Sequence, residues 1–226
     1  MPNIVKTLIR YVNVDPEEMK KFLNIHGGTV NFDDIIPVPD YIKLDRLPDS
    51  SESLEAYKFM TKKEPMGYFL RNLVHMYRHD NESPRKTVSR LIKNKQIDIQ
   101  LGKKIYQSEK IYGEISYFKW IQNNWGSSNP IEVVVKDDVI IMETSWSAPI
   151  PILKAISNHF PEGIFSVVWC DEIVDVAGSM EMYHGGIEEF YAEGGSSDAM
   201  DCYYEIRRYE EEEYKEFIEK QQKKGA

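Results

Sequence analysis

Long apolar runs are missing from this sequence, and none approaches the ~20 residues that a membrane-spanning helix needs. Cysteine is scarce as well, with Cys170 and Cys202 the only two in 226 residues. Two cysteines make no disulfide framework, and a reducing cytoplasm is the expected setting. The first residues, MPNIVKTLIRYVNVD, have neither the apolar stretch nor the small-residue cleavage site of a secretory leader. Glycine-rich phosphate loops are absent too. GGTVNF (27–32) and GGSSD (194–198) carry neither G-x-G-x-x-G nor a Walker lysine and read as turns. No repeat of fixed period is visible. What the chain does hold is apolar and aromatic mass: 42% hydrophobic residues, with 14 Tyr, 9 Phe and 4 Trp. That supplies a core and excludes a wholly disordered chain.

Charge is unevenly spread. The formal net charge is -9, yet residues 45–110 carry 14 basic and 9 acidic groups, a surplus of +5. Residues 171–226 carry 6 basic and 16 acidic groups, a balance of -10. A basic middle and an acidic end point to two different surfaces for partners.

The pattern of residues predicts the following order. Residues 3–13 are rich in β-branched and aromatic types, as a first strand would be. Asp15 as N-cap and Pro16 at the first helical position start a helix over 16–26, stopped by Gly27–Gly28. Residues 29–37 read as a short strand ended by Pro37 and Pro39. A helical segment over 45–112 follows, with four helices near 53–63, 65–79, 84–95 and 98–112. Residues 131–136 and 139–146 form a hairpin about Asp137–Asp138. Then come a helix over 149–160, strands at 164–170 and 177–184, a turn at Gly185–Gly186 leading into 187–192, and a charged C-terminal helix. The expected fold class is α+β: an antiparallel sheet with helices on one face, an inserted four-helix segment, and an acidic helical extension over 194–226.

Three blocks carry a family resemblance: FDDIIPVPDYI (32–42), FKWIQNNWGSSNPIE (118–132) and ETSWSAPIPILKAISNHFPE (143–162). In this order they resemble the YubB ferredoxin-like domain family of bacteriophages and conjugative plasmids. Its motif positions fall here on Phe32, Ile35, Ile36, Pro37 and Pro39, on Asn124, Trp125 and Gly126, and on Thr144, Trp146, Ser147, Pro149, Pro151, Ser157, Phe160 and Pro161. The chain departs from the motifs at Asn123–Asn124, where the family has Glu before its NWG, and at Ala148, where it has Pro. The resemblance covers roughly residues 1–44 and 113–193, leaving out the helical segment and the acidic tail. It implies a ferredoxin-like fold and a mobile-element setting in a bacterial host, and no reaction.

Candidate chemistry is thin. His75 and His79 stand four apart, a spacing that can serve one metal, but no Glu follows His75 and neither a cysteine nor a carboxylate pair stands near enough in sequence to complete a site. Glu143, Ser145 and His159 are the acid, nucleophile and base types nearest the motif blocks, and no nucleophile elbow surrounds them. Asn124, Trp125, Gly126, Thr144 and Trp146 form a candidate motif surface, since NWGSS (124–128) and ETSW (143–146) could line one face; the plainer reading packs Trp125 and Trp146 under the sheet, with Gly126 in a turn. No cofactor is expected, and the chain is read as not an enzyme.

Two charged surfaces remain. Arg85, Lys86, Arg90 and Lys93 fall opposite Val88, Leu91 and Ile92 on one helix, and such a face could neutralise phosphates. Glu205 and the run Glu210, Glu211, Glu212 and Glu213 could imitate phosphate spacing on a protein partner. The expectation is an interaction protein binding, and inhibiting, a host protein or nucleoprotein complex. A nucleic-acid-binding accessory using helix 84–95 is the alternative.

Overall fold

The computed structural model describes residues 3–25, 27–113, 115–183 and 186–224, with side chains in the last helix described as far as Glu212 and at Lys215. They divide into two compact units, residues 1–37 with 121–226, and residues 38–120. β1 (Ile4–Val12), α1 (Pro16–Leu23) and a one-turn α2 (Phe32–Ile35) open the first unit. The second unit holds α3 (Asp40–Lys43), α4 (Ser50–Tyr57), α5 (Tyr68–Tyr77), α6 (Pro84–Lys93) and α7 (Ile99–Tyr112), with a 3-10 turn at Leu44–Arg46 and a π turn at Lys58–Lys62. α8 (Tyr117–Asn124) leads into β2 (Glu132–Lys136), β3 (Val139–Ser145), α9 (Ile150–His159), β4 (Ile164–Asp171), β5 (Ala177–Tyr183), β6 (Gly186–Ala192) and α10 (Ser197–Lys224).

The sheet is fully antiparallel in the order β2-β3-β1-β4-β5-β6. Its first four positions, with α1 between β1 and β2 and α9 between β3 and β4, are the ferredoxin-like β-α-β-β-α-β arrangement, and β5 and β6 extend it. Pleat sorts the side chains. Val5, Thr7, Ile9 and Tyr11 of β1 are buried on one face, in register with Ile140, Met142 and Thr144 of β3 and with Phe165, Val167 and Trp169 of β4. α1 and α9 supply Met19, Leu23, Ile152, Leu153 and Ile156 to the core.

The opposite face is not left to solvent. Leu8, Val139, Val168, Cys170 and Ala177 form one buried cluster with Ala199, Cys202 and Ile206 of α10. The C-terminal helix is therefore part of the core of the first unit as well as an acidic surface. Packed there, Cys170 has its thiol pushed up to about 11 by burial, with Asp171 and Cys202 adding to the shift, and Cys202 is raised by burial and then by Glu205 and Asp201. Both are free thiols held in the protonated, unreactive form at neutral pH.

Four local expectations need correcting. Residues 29–37 are not a strand: the Asn31 side chain accepts from the Asp33 N–H, Asp33 and Asp34 suit a helix start, and α2 results. The helix at 16–26 ends earlier, because Asn24 takes the left-handed cap. The helical segment is wider than 45–112. Tyr41 on α3 stacks on Tyr112 of α7 at 4.1 Å between ring centroids, and the Tyr117 N–H donates to the Asp45 carboxylate at 2.9 Å. These contacts tie residues before 45 and after 112 into the helical unit. His79 lies beyond the end of α5, so it does not share a helical face with His75. The turn expected at Gly185–Gly186 lies partly outside the described residues.

Candidate functional site

The three motif blocks meet in one place within the first unit. Trp125 follows α8 and is 1% exposed; its Nε1 donates to the Ile36 carbonyl at 2.8 Å, and its ring meets Phe32 edge-on at 5.9 Å. The Phe32 N–H donates to Asn129 Oδ1 at 2.8 Å, so the first block is held to the second by backbone and side chain alike. Gly126 sits at φ +83, where an added Cβ would come 2.9 Å from Pro151 Cδ and 3.0 Å from the Ala148 carbonyl. Ser127 Oγ donates to the Ser145 carbonyl at 2.9 Å, Thr144 Oγ1 to the Ser147 carbonyl at 2.8 Å, and Ser147 Oγ to the Gly126 carbonyl. Each hydroxyl ends on a backbone carbonyl, which is the accounting a buried irregular crossing requires. Asn124 is half-buried at the end of α8.

Trp146 breaks the expected pattern. It is 60% exposed and at φ +71, its N–H donating to the Asn3 carbonyl at 2.8 Å. A bulky residue in the left-handed region with its ring in solvent is neither core nor turn chemistry. The knot of hydroxyl–carbonyl bonds around it over-determines that backbone.

The acid, nucleophile and base types are not brought together. Glu143 lies on the α10 face of the sheet, paired with Lys6 at 3.5 Å. Ser145 has its carbonyl occupied by Ser127. His159 ends α9 on the other face, stacked on Phe22 at 4.1 Å. Among the described residues no group of three His, Cys, Asp or Glu is placed to hold a metal, and no helix is long and apolar enough to cross a membrane.

The acidic residues of α10 divide in two. Glu210 is bonded to Lys6 and pairs with Arg207, and Glu205 pairs with Arg10. Burial alone would lower the Lys6 ammonium; its hydrogen bond to Glu210 and the charges of Glu210 and Glu143 outweigh that and leave it raised. These two carboxylates fasten the helix to β1. Glu211 and Glu212 are exposed, and the Glu213 side chain lies outside the described residues.

The basic face of α6 divides likewise. Arg90 is bidentate to Glu82, at 3.2 and 2.8 Å, and donates to the Tyr77 carbonyl at 2.6 Å. Arg85 donates to the Met60 carbonyl at 3.0 Å and lies over the Phe59 ring. Lys86 and Lys93 are exposed. Two of the four cations thus brace α6 within its unit. Arg90 holds the Glu82 carboxyl down at about 2 from an ordinary 4.5, with the His79 N–H and the Thr87 hydroxyl also donating to it. A depressed carboxyl contributes stability that is present above pH ~4.5 and is lost as pH falls toward 2. The acid limb of a stability-versus-pH curve is therefore expected to shrink in Glu82→Gln, measured by urea unfolding at pH 5 and pH 2.5. An unchanged limb would remove the bridge from the account.

One cluster escaped the pattern reading. Lys58 and Lys62, from the π turn after α4, and Lys110 of α7 lie 6.0, 5.2 and 5.5 Å from the Tyr106 ring centroid. The four-residue spacing of Lys58 and Lys62 was visible in the sequence, but the pairing of α4 with α7 was not.

Residues 119–219 match the family model for a ferredoxin-like domain in Api92-like protein. That span runs from α8 into α10, so the acidic helix, expected to lie outside the resemblance, falls inside the matched domain as far as residue 219. No curated protein matches the chain. A crystal structure of protein api92 from Yersinia pseudotuberculosis is similar over 87% of this chain and 99% of that one, at 8% identity and a TM-score of 0.36.

Proposed function

We propose that the chain is a non-enzymatic interaction protein of a phage or related mobile element, which binds and inhibits a host macromolecular complex such as a nucleic-acid-processing or defence enzyme. The observation that carries this reading is the division of α10. At 28 residues the helix is about 42 Å long at 1.5 Å per residue. Its buried anchors, Ala199, Cys202 and Ile206, and its ion-paired Glu205 and Glu210, all lie in the first half. The acidic run begins where this anchoring ends, with Glu211 and Glu212 in solvent. A helix fixed at one end and carrying adjacent exposed carboxylates, Glu211 and Glu212, suits a basic groove on a partner that ordinarily holds nucleic acid. The mobile-element setting is supported by the resemblance of the three blocks to the YubB family, and the cytoplasmic one by the two free cysteines.

The test is affinity capture at low salt from bacterial lysate, with the intact chain beside a Glu211→Lys, Glu212→Lys, Glu213→Lys variant. The expected result is a defined protein or nucleoprotein complex retained by the first and lost by the second. Recovery of no complex, or equal recovery by both, would overturn the reading. For the alternative, a nucleic-acid contact through α6, Lys86 and Lys93 are the exposed cations, since Arg85 and Arg90 are engaged within the unit.

A further inference from the structure

We infer that the lysine cluster about Tyr106 in the helical unit is a binding site for the phosphate backbone of a nucleic-acid strand, separate from both α6 and the acidic helix.

The cluster is built from two elements. On α7, Lys103, Tyr106 and Lys110 stand at i, i+3 and i+7, one stripe about 10 Å long. Beside it, the chain leaving α4 forms a π turn over Lys58–Lys62 in which the Lys63 N–H donates to the Lys58 carbonyl. π turns are rare, and they recur at functional sites. This one is reinforced by Thr61 Oγ1 donating to the Tyr57 carbonyl at 2.6 Å and is closed by Lys63 at φ +59. Lys58 and Lys62 lie one turn apart and both reach the Tyr106 ring, itself tilted against Tyr57 at 5.4 Å. α4 and α7 are held close by Gly102, where an added Cβ would run into the Ser53 carbonyl.

The charge count follows. Lys58 is paired with Glu109 at 2.9 Å, which leaves Lys62 and Lys110 around the ring, and Lys103 along the stripe, as exposed cations. The ammonium groups of Lys62 and Lys110, 5.2 and 5.5 Å from one centroid, are within about 11 Å of each other, comparable with the ~8 Å screening length of physiological salt. They repel one another, and an anion that bridges them relieves the repulsion. That same screening length means a ligand here responds to the local surplus and little to the chain's overall -9.

The arrangement favours a linear polyanion. The cations are strung along a helix and its neighbour, and each lysine ammonium can serve a phosphate oxygen as a point charge. Gln107 adds a hydrogen-bonding side chain on α7 next to the stripe.

The experiment is fluorescence anisotropy on the full chain with labelled 20-nucleotide single-stranded DNA, the same DNA as duplex, and single-stranded RNA, from 50 to 200 mM salt. Lys62→Glu with Lys110→Glu is expected to weaken binding at least tenfold. It should also lower the slope of log K against log salt by about 1.4 to 1.8, two phosphate contacts at ~0.7–0.9 each. Lys62→Arg with Lys110→Arg should retain binding, which separates loss of charge from loss of fold. No binding by the parent chain, an unchanged slope in the charge reversal, or equal lysine-dependent binding of polyglutamate would each overturn the assignment. The Glu211→Lys, Glu212→Lys, Glu213→Lys chain should bind these probes at least as well as the parent, so this result and the partner capture can fail independently.

Discussion

Replacing Trp125 with alanine is expected to destabilise the first unit by about 3–5 kcal/mol, the range for emptying a large buried aromatic site. Three losses coincide there. The indole is 1% exposed, so its whole apolar area leaves the core. Its edge contact with Phe32 disappears, and the Ile36 carbonyl loses the Nε1 donor that satisfies it at 2.8 Å. Relaxation is poor because the neighbours are fixed: Phe32 through Asn129, and Gly126 by its close approach to Pro151 and the Ala148 carbonyl. The paired control is Trp146→Ala, expected to fall within about 0.5 kcal/mol of the parent, because that ring is 60% exposed and its backbone sits in a left-handed conformation that indole does not stabilise. Urea denaturation read by fluorescence and by circular dichroism checks both. Equal losses in the two variants would show that the motif tryptophans share one structural role, against the geometry described.

The two tryptophans also measure how much could be read from sequence. Both stand in motif blocks, and both read from sequence as packed under the sheet. Only the backbone separates them: Trp125 follows the last turn of a helix, and Trp146 lies one residue past the end of β3, where the strand turns left-handed. The hairpin about Asp137, the helix opened by Asp15 and Pro16, and the helix opened by Ser83 and Pro84 were legible because a cap, a proline or a turn residue acts within four residues of itself. The strand expected at 29–37 failed for the complementary reason. Its β-branched residues suggested extension, and the single Asn31 cap with two acids behind it outweighed them. The docking of Glu205 and Glu210 on β1 and of Arg85 on its unit was beyond reach, since Arg10, Lys6 and Met60 lie across the fold or about two dozen residues away, while Arg90 turns back across a helix start to Glu82 and Tyr77. Charge runs in sequence do not say which members will be spent on docking.

That distinction makes α10 the place for the second large effect. Ile206→Asp puts a carboxylate among Leu8, Val168, Cys170, Ala199 and Cys202, where the nearby cations, Lys6 and Arg207, are already paired with Glu143 and Glu210. A charge buried without a partner costs about 3–5 kcal/mol, and the helix can avoid that only by leaving the sheet, which exposes the apolar face of β1 and β4. Loss of cooperative unfolding and binding of a hydrophobic dye are expected at neutral pH, with partial recovery below the carboxylate range as the introduced side chain protonates. Glu211→Lys with Glu212→Lys changes the charge of the same helix by four and should shift stability by no more than about 0.5 kcal/mol, because both side chains are in solvent past the last anchor. If the charge reversal proved as destabilising as the buried substitution, the acidic run would itself be an anchor. The proposed partner surface would then have to be sought elsewhere on the sheet. If the two effects separate as expected, α10 carries stability in its first half and is free to carry recognition in its second, so binding can be abolished there without unfolding the domain.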